Sequence, residues 1–209
     1  MKYEILITLL LLLNIHNALG QPAETKTGAT EFYFHSGISV PKSQYNFAEF
    51  YNTSLNMGIG IGFDLSPSFL FAVELTYNKF DLDKTAFINS HENLTGTASE
   101  GDKAIYSFTA CTKAKLGTFY TRLTPYLKLN FGFMHQRYDD LYVEVFNPDT
   151  SYVLPATFDT SITFHFGTGI DIKLIKGYFI FCEAKFDYAF TGENHTQYMP
   201  IKVGILYRR

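Results

Sequence analysis

The sequence predicts an all-β chain: an antiparallel, eight-stranded transmembrane β-barrel behind an N-terminal secretion signal. Three observations carry this expectation. A short apolar run opens the chain, period-two alternation then recurs about eight times, and the alternating segments are longer than the strands of most soluble proteins.

The opening run comes first. Lys2 supplies a positive charge, residues 5–13 are apolar apart from Thr8, and Ala18-Leu19-Gly20 place small residues where a signal peptidase cuts. The run falls short of the roughly 20 residues that a spanning helix needs. Residues 1–20 are therefore expected to be a cleaved signal peptide, 21–30 a short periplasmic segment and 31–209 the barrel domain. No Cys follows the run, which argues against a lipoprotein.

Composition agrees. The 209 residues suit one domain, and 21 Phe with 15 Tyr favour a pleated surface. A net charge of −3 offers no nucleic-acid footprint. Two Cys are too few for a disulfide framework, and Cys111 and Cys182 fall on opposite faces of their strands, so both are expected to be free thiols.

The alternating segments are 31–40, 55–65, 69–79, 105–116, 125–137, 161–174, 178–190 and 198–208. Each is about 10–13 residues long, enough for a tilted strand to cross a hydrocarbon core. Their connections alternate in length. Tight turns at 66–68, 117–124 and 175–177 face long loops at 41–54, 81–104, 138–160 and 191–197, the pattern of an outer-membrane barrel with its turns in the periplasm. A hairpin inside the third long loop, around 141–146 and 152–158, would raise the count to ten strands.

Charge assigns the faces. One series carries Glu31, Asp64, Glu74, Asp171, Glu183 and Asp187 with Lys113, Lys115, Lys128, Lys173, Lys185 and Lys202, two signs in balance. The other carries no charge within the strand bodies; Lys79 and Arg137 lie only at outer ends. A Lys or Arg at the lipid midplane costs about 2–4 kcal/mol. The uncharged series, with Ile59, Ile61, Phe71, Val73, Phe108, Leu129, Phe131, Phe166, Ile170, Ile180, Val203 and Ile205, is therefore expected to face lipid. The charged series forms a paired interior network, with glycines at 58, 60, 62, 132, 167 and 169 making room. Aromatics gather at both strand ends, Phe32, Phe63, Phe69, Tyr178 and Tyr207 at one and Tyr77, Tyr106, Tyr188 and Phe190 at the other, as two interfacial girdles would.

Particular strands carry a resemblance. Phe166-Gly167-Thr168-Gly169-Ile170-Asp171, Glu183-Ala184-Lys185-Phe186-Asp187-Tyr188, the segment from Pro200 to Tyr207, and Tyr126-Leu127-Lys128-Leu129-Asn130-Phe131-Gly132 resemble the outer-membrane β-barrel domain family of small OmpX/OmpA-like barrels. The resemblance implies a monomer in a Gram-negative outer membrane, in contact with outer-membrane lipid and lipopolysaccharide and placed there by the barrel-insertion machinery. Such chains usually end in an aromatic; here Tyr207 precedes Arg208-Arg209.

The search for chemistry yields no catalytic, cofactor or metal site. His35 and Ser36 are adjacent and point to opposite faces. His165 shares a face with Thr163 without an orienting acid at convincing spacing, and reads as a satisfied interior histidine. His91 and His195 are loop residues. Sequons at Asn52, Asn93 and Asn194 read as chance. The long loops are acidic and hold Tyr45, Phe47, Phe50, Tyr51, Tyr142, Phe146 and Tyr152, which suit either an extracellular partner or packing over the barrel mouth. The expectation is a non-enzymatic outer-membrane protein with a structural or adhesive role through these loops. The alternatives are a soluble lipocalin-like carrier with its apolar series inside and a lipid-modifying enzyme of the outer membrane.

Overall fold

The computed structural model describes residues 28–42, 47–90, 96–116, 122–146, 149–191 and 195–209. The expected signal peptide and most of the following segment lie outside the described residues. The strands are β1 (Thr30–Pro41), β2 (Ser54–Asp64), β3 (Phe69–Phe80), β4 (Gly96–Glu100), β5 (Lys103–Lys115), β6 (Leu123–Tyr138), β7 (Leu141–Phe146), β8 (Asp149–Leu154), β9 (Thr157–Ile175), β10 (Tyr178–Ala189) and β11 (Thr196–Arg208). Two short helices, α1 (Phe47–Phe50) and α2 (Lys84–Asn89), lie in the first two long loops.

Eight strands close into one antiparallel barrel in the order β1-β11-β10-β9-β6-β5-β3-β2. Closure removes the unpaired edges an open sheet would expose. β1 joins the two ends, pairing Phe32 with Tyr207 on one side and with Ile61 on the other. The alternation resolves as charge dictates. Phe34, Ile59, Leu75, Phe108, Phe131, Phe166 and Ile205 stand outward and exposed, whereas Glu31, Glu74, Lys128, Asp187 and Lys202 are buried inside.

The expected hairpin exists but adds nothing to the barrel. β7 and β8 pair with each other, and β7 also pairs with β4, forming a separate three-stranded sheet at the loop end. Its second limb is 149–154; Pro155 follows it, and Thr157 and Phe158 already belong to β9. Leu141, Val143 and Val145 pack against Phe50 and Leu82, with Phe87 and Ile88 of α2 alongside. Asp83 caps α2, its Oδ1 accepting from the Ala86 amide at 2.9 Å. The reversal from β4 into β5 runs through Glu100 and Gly101 at φ 61° and 81°, a left-handed pair that glycine eases.

Candidate functional site

Two regions gather the chemistry-bearing residues: the barrel interior and the sheet above its loop end. The interior centres on Glu74 of β3. Its Oε1 lies 2.5 Å from Lys202 Nζ and 3.0 Å from His35 Nε2; its Oε2 accepts from Lys128 at 2.6 Å and from Asn130 Nδ2 at 3.2 Å. Glu183 faces the same two lysines, 3.5 Å from Lys128 and 3.0 Å from Lys202, and accepts from the Tyr126 hydroxyl at 2.9 Å. Two carboxylates and two ammoniums thus alternate around a ring, so each buried charge touches its opposite.

A second group sits by the turn end. Lys115 bridges Glu31 at 2.7 Å and Asp64 at 2.8 Å, Arg208 also pairs with Glu31, and Lys113 holds Asp171 at 2.6 Å. The arginine beside the last residue is therefore a seam contact, tying β11 to β1. Lys173 is not part of the network. β9 outruns β6 here, Leu123 pairing with Ile172, and a bulge at Tyr178/Phe179 sets Lys173 against Phe179. Lys173 consequently projects past the rim and is exposed.

A third group is Thr163, His165, Lys185 and Asp187. His165 Nε2 lies 2.8 Å from Thr163 Oγ1, and its Nδ1 lies 3.2 Å from Lys185 Nζ and 3.5 Å from Asp187. The residue types are those of a hydroxyl–imidazole–carboxylate triad, but the protons run the wrong way. Lys185 has only donors, so Nδ1 accepts; Nε2 then carries the hydrogen and donates to Thr163, whose hydroxyl donates to the Tyr188 carbonyl at 3.0 Å. A general base needs a lone pair facing the hydroxyl. With Thr163, His165 and Asp187 all buried, this group reads as packing.

Apart from Asn56, which shares the polar series of β2 with Asp64, sequence reading missed the neutral members of the interior. Asn56 and Ser39 donate to Asn78 Oδ1 at 2.6 and 2.7 Å, and Asn78 donates to the Tyr198 hydroxyl. Tyr33 and Tyr126 fill slots left by glycines: a Cβ at Gly60 would fall 2.2 Å from the Tyr33 ring, and one at Gly169 would fall 2.4 Å from that of Tyr126. All share the parity of the charged series, the signal that could have found them. The cavity beside Tyr33 and Tyr126 has a volume of about 20 Å³, room for one water.

The loop-end sheet is built differently. Phe47 of α1 drops into the mouth among Phe80, Ile105, Met134 and Tyr198, with Lys103 Nζ 4.1 Å from the centre of its ring. Phe50 and Tyr51 pack beneath the sheet; Tyr51 donates to the Gly101 carbonyl, and burial pushes its phenol up, which keeps it a donor. The opposite face and the β8 edge remain open: Phe146, Tyr152, Val153 and Leu154 are more than half exposed. The loop aromatics therefore divide, the first loop covering the mouth and the third presenting itself. Tyr45 lies outside the described residues.

No family model matches the chain, and no curated protein matches it in sequence. Solved structures do. Neisserial surface protein A is 15% identical with a TM-score of 0.58, over 86% of this chain and 98% of that one. The attachment invasion locus protein Ail of Yersinia pestis is 12% identical with a TM-score of 0.52, over 88% and 99%; it has also been crystallised with the heparin analogue sucrose octasulfate. The outer membrane protein OprG of Pseudomonas aeruginosa is 10% identical with a TM-score of 0.51, over 88% and 97%. At these identities the likeness is one of architecture: the chain has the fold of the small eight-stranded outer-membrane barrels.

Proposed function

We propose that the protein is a non-enzymatic barrel of the bacterial outer membrane that holds the β4–β7–β8 sheet outside the cell as an interaction surface. The membrane part rests on the outward apolar series and the charged interior. That interior also opposes a soluble carrier, since the described cavity among Tyr33, Tyr126 and Glu183 has room for water but not for an apolar ligand. The loop end then faces outward and the turns face the periplasm.

The observation that carries the interaction role is the open edge of β8. α2 packs on β4 at the other edge, while among the described residues β8 pairs only with β7. β8 reads Asp-Thr-Ser-Tyr-Val-Leu, without the Lys or Pro that blunts an edge. Such an edge takes up an extended polypeptide as a further strand. Glu144 stands opposite Ser151 of β8, and Asp140 accepts from the Ala156 amide just past the end of β8, so the fitting segment carries basic side chains. That charge differs in sign from the polyanion held by Ail.

The test uses purified protein in lipid nanodiscs with two immobilised probes, a lysine-rich extended polypeptide and heparin. The polypeptide is expected to bind saturably, and excision of residues 141–154 to abolish binding while leaving a folded barrel. Preference for heparin, or polypeptide binding that survives the excision, would contradict the proposal.

A further inference from the structure

The two rims of the barrel treat their exposed bases differently. At the loop end they are neutralised: Lys79 lies 3.3 Å from Asp81 and 2.9 Å from Asp102, and Arg137 lies 3.0 Å from Asp139. At the turn end Arg122, Lys173, Lys176 and Arg209 are all exposed. The acids of that end among the described residues are Glu31, Asp64 and Asp171. Each is engaged elsewhere, Glu31 and Asp64 by Lys115 and Arg208, and Asp171 by Lys113.

Two of the four exposed bases meet. β6 and β9 pair Thr124 with Asp171 and Leu123 with Ile172. One step further, the Lys173 amide donates to the Arg122 carbonyl at 2.8 Å, which sets Arg122 opposite Lys173. Side chains directly opposed on neighbouring strands have Cβ atoms about 4.5–5.5 Å apart, and like charges so placed repel. The register therefore builds a pair of cations that destabilises the rim until an anion lies between them.

Alternation fixes where the pair points. Thr124 and Asp171 are buried in the interior, and Arg122 and Lys173 continue their series past the rim. The outward residues beside them are Leu123 and Leu174, 52% and 54% exposed. The two cations thus overhang the opening of the barrel rather than its wall, and an anion reaches them from solution and not sideways from lipid. Deeper in, both oxygens of Asp171 are held by Lys113, at 2.9 and 2.6 Å. On the next strand Phe179 stands opposite Lys173, and the Arg208 guanidinium lies 5.4 Å from the centre of its ring. The positive field therefore extends from β6 across β9 and β10 to β11.

We propose that Arg122 and Lys173 form a binding site for a phosphate group carried on a soluble molecule of the periplasm. Charge matching selects the ligand, because one dianionic phosphate neutralises two cations and a single carboxylate does not. The arginine supplies a planar fork of donors and the lysine a point charge. The periplasmic side of the site rests on the outer-membrane reading above.

The test is calorimetric titration of the full protein, folded in a zwitterionic detergent at low ionic strength and about pH 8, where phosphate is largely dianionic. Inorganic phosphate is expected to bind saturably, one per barrel and about tenfold more tightly than acetate. Arg122→Gln and Lys173→Gln are each expected to weaken it about tenfold. Lys173→Glu gives Arg122 an opposite charge to pair with and is expected to abolish binding. Lys79→Gln, at the opposite rim, is expected to change nothing. Phosphate bound no better than acetate, or binding that survives Lys173→Glu, would overturn the site. Repeating the titration in nanodiscs with and without phosphatidylglycerol separates the sources: binding unchanged by that lipid supports a soluble phosphate, and binding blocked by it would overturn the soluble source in favour of a lipid head. Each protein is also run unboiled on an SDS gel. Folded mobility without phosphate binding sinks only the site; loss of folded mobility in wild type sinks the barrel reading and the periplasmic site with it.

Discussion

The barrel and the sheet above it are packed inside out with respect to one another. In the barrel, Glu74, Lys128, Glu183 and Lys202 lie at the centre while Phe108, Phe131 and Ile205 look outward. In the sheet, Leu141, Val143 and Val145 turn inward onto Phe50 and Leu82, and Glu144 looks outward. One chain satisfies both patterns only if two solvents surround it. The inversion falls where β3, β5 and β6 end, near Phe80, Lys103 and Tyr138, and so marks the water boundary from internal evidence.

That comparison can be broken in several places. The largest effect is expected at the centre of the barrel. Glu74→Ala leaves Lys128 and Lys202 with Glu183 as their shared counter-charge, and is expected to cost about 3–5 kcal/mol. Urea titration in lipid vesicles, followed by gel mobility, measures it. Next comes the wall: Phe131→Arg is expected to cost about 2–4 kcal/mol in vesicles, and a negligible cost there would mean that Phe131 meets water. In the sheet, Val143→Ala is expected to loosen the cap by about 1–3 kcal/mol. Limited proteolysis should then cut the third long loop while the barrel keeps its urea midpoint. The smallest effect is expected at Asp83→Ala, which removes the α2 cap for about 1 kcal/mol. Hydrogen exchange would register it in residues 84–89 alone.

The two regions also differed in how far they could be read beforehand. Barrel strands carry their own signal, because period two and the exclusion of charge from one series are local properties. The eight segments and their faces follow from that, and Glu74, Lys128 and Lys202 were placed inside by their parity together with the absence of charge from the other series. Their partners were not legible. Lys202 meets Glu74 across 128 residues and Lys115 meets Glu31 across 84, and such pairs depend on the stagger of the closed sheet. Lys173 shows the limit of parity, since alternation continues past the rim while the interior does not. The sheet was the harder case. The alternating run at 141–146 announced a hairpin, but Gly-Thr-Ala-Ser-Glu of β4 has no apolar series, and only its pairing with β7 makes it a strand. Thr163 and His165 were legible as neighbours on one inner face, but their meeting with Asp187 was not, because Asp187 arrives from the neighbouring strand through the register of β9 and β10.

The most direct test of the inside-out barrel is heat modifiability. The detergent-extracted outer-membrane fraction is run on an SDS gel, unboiled and boiled. A closed barrel with an apolar wall resists SDS at room temperature, so the account predicts two mobilities, the unboiled one converting wholly to the boiled one on heating. A protein released by osmotic shock that runs at a single mobility would contradict it, and would turn the outward apolar series into a surface that meets water.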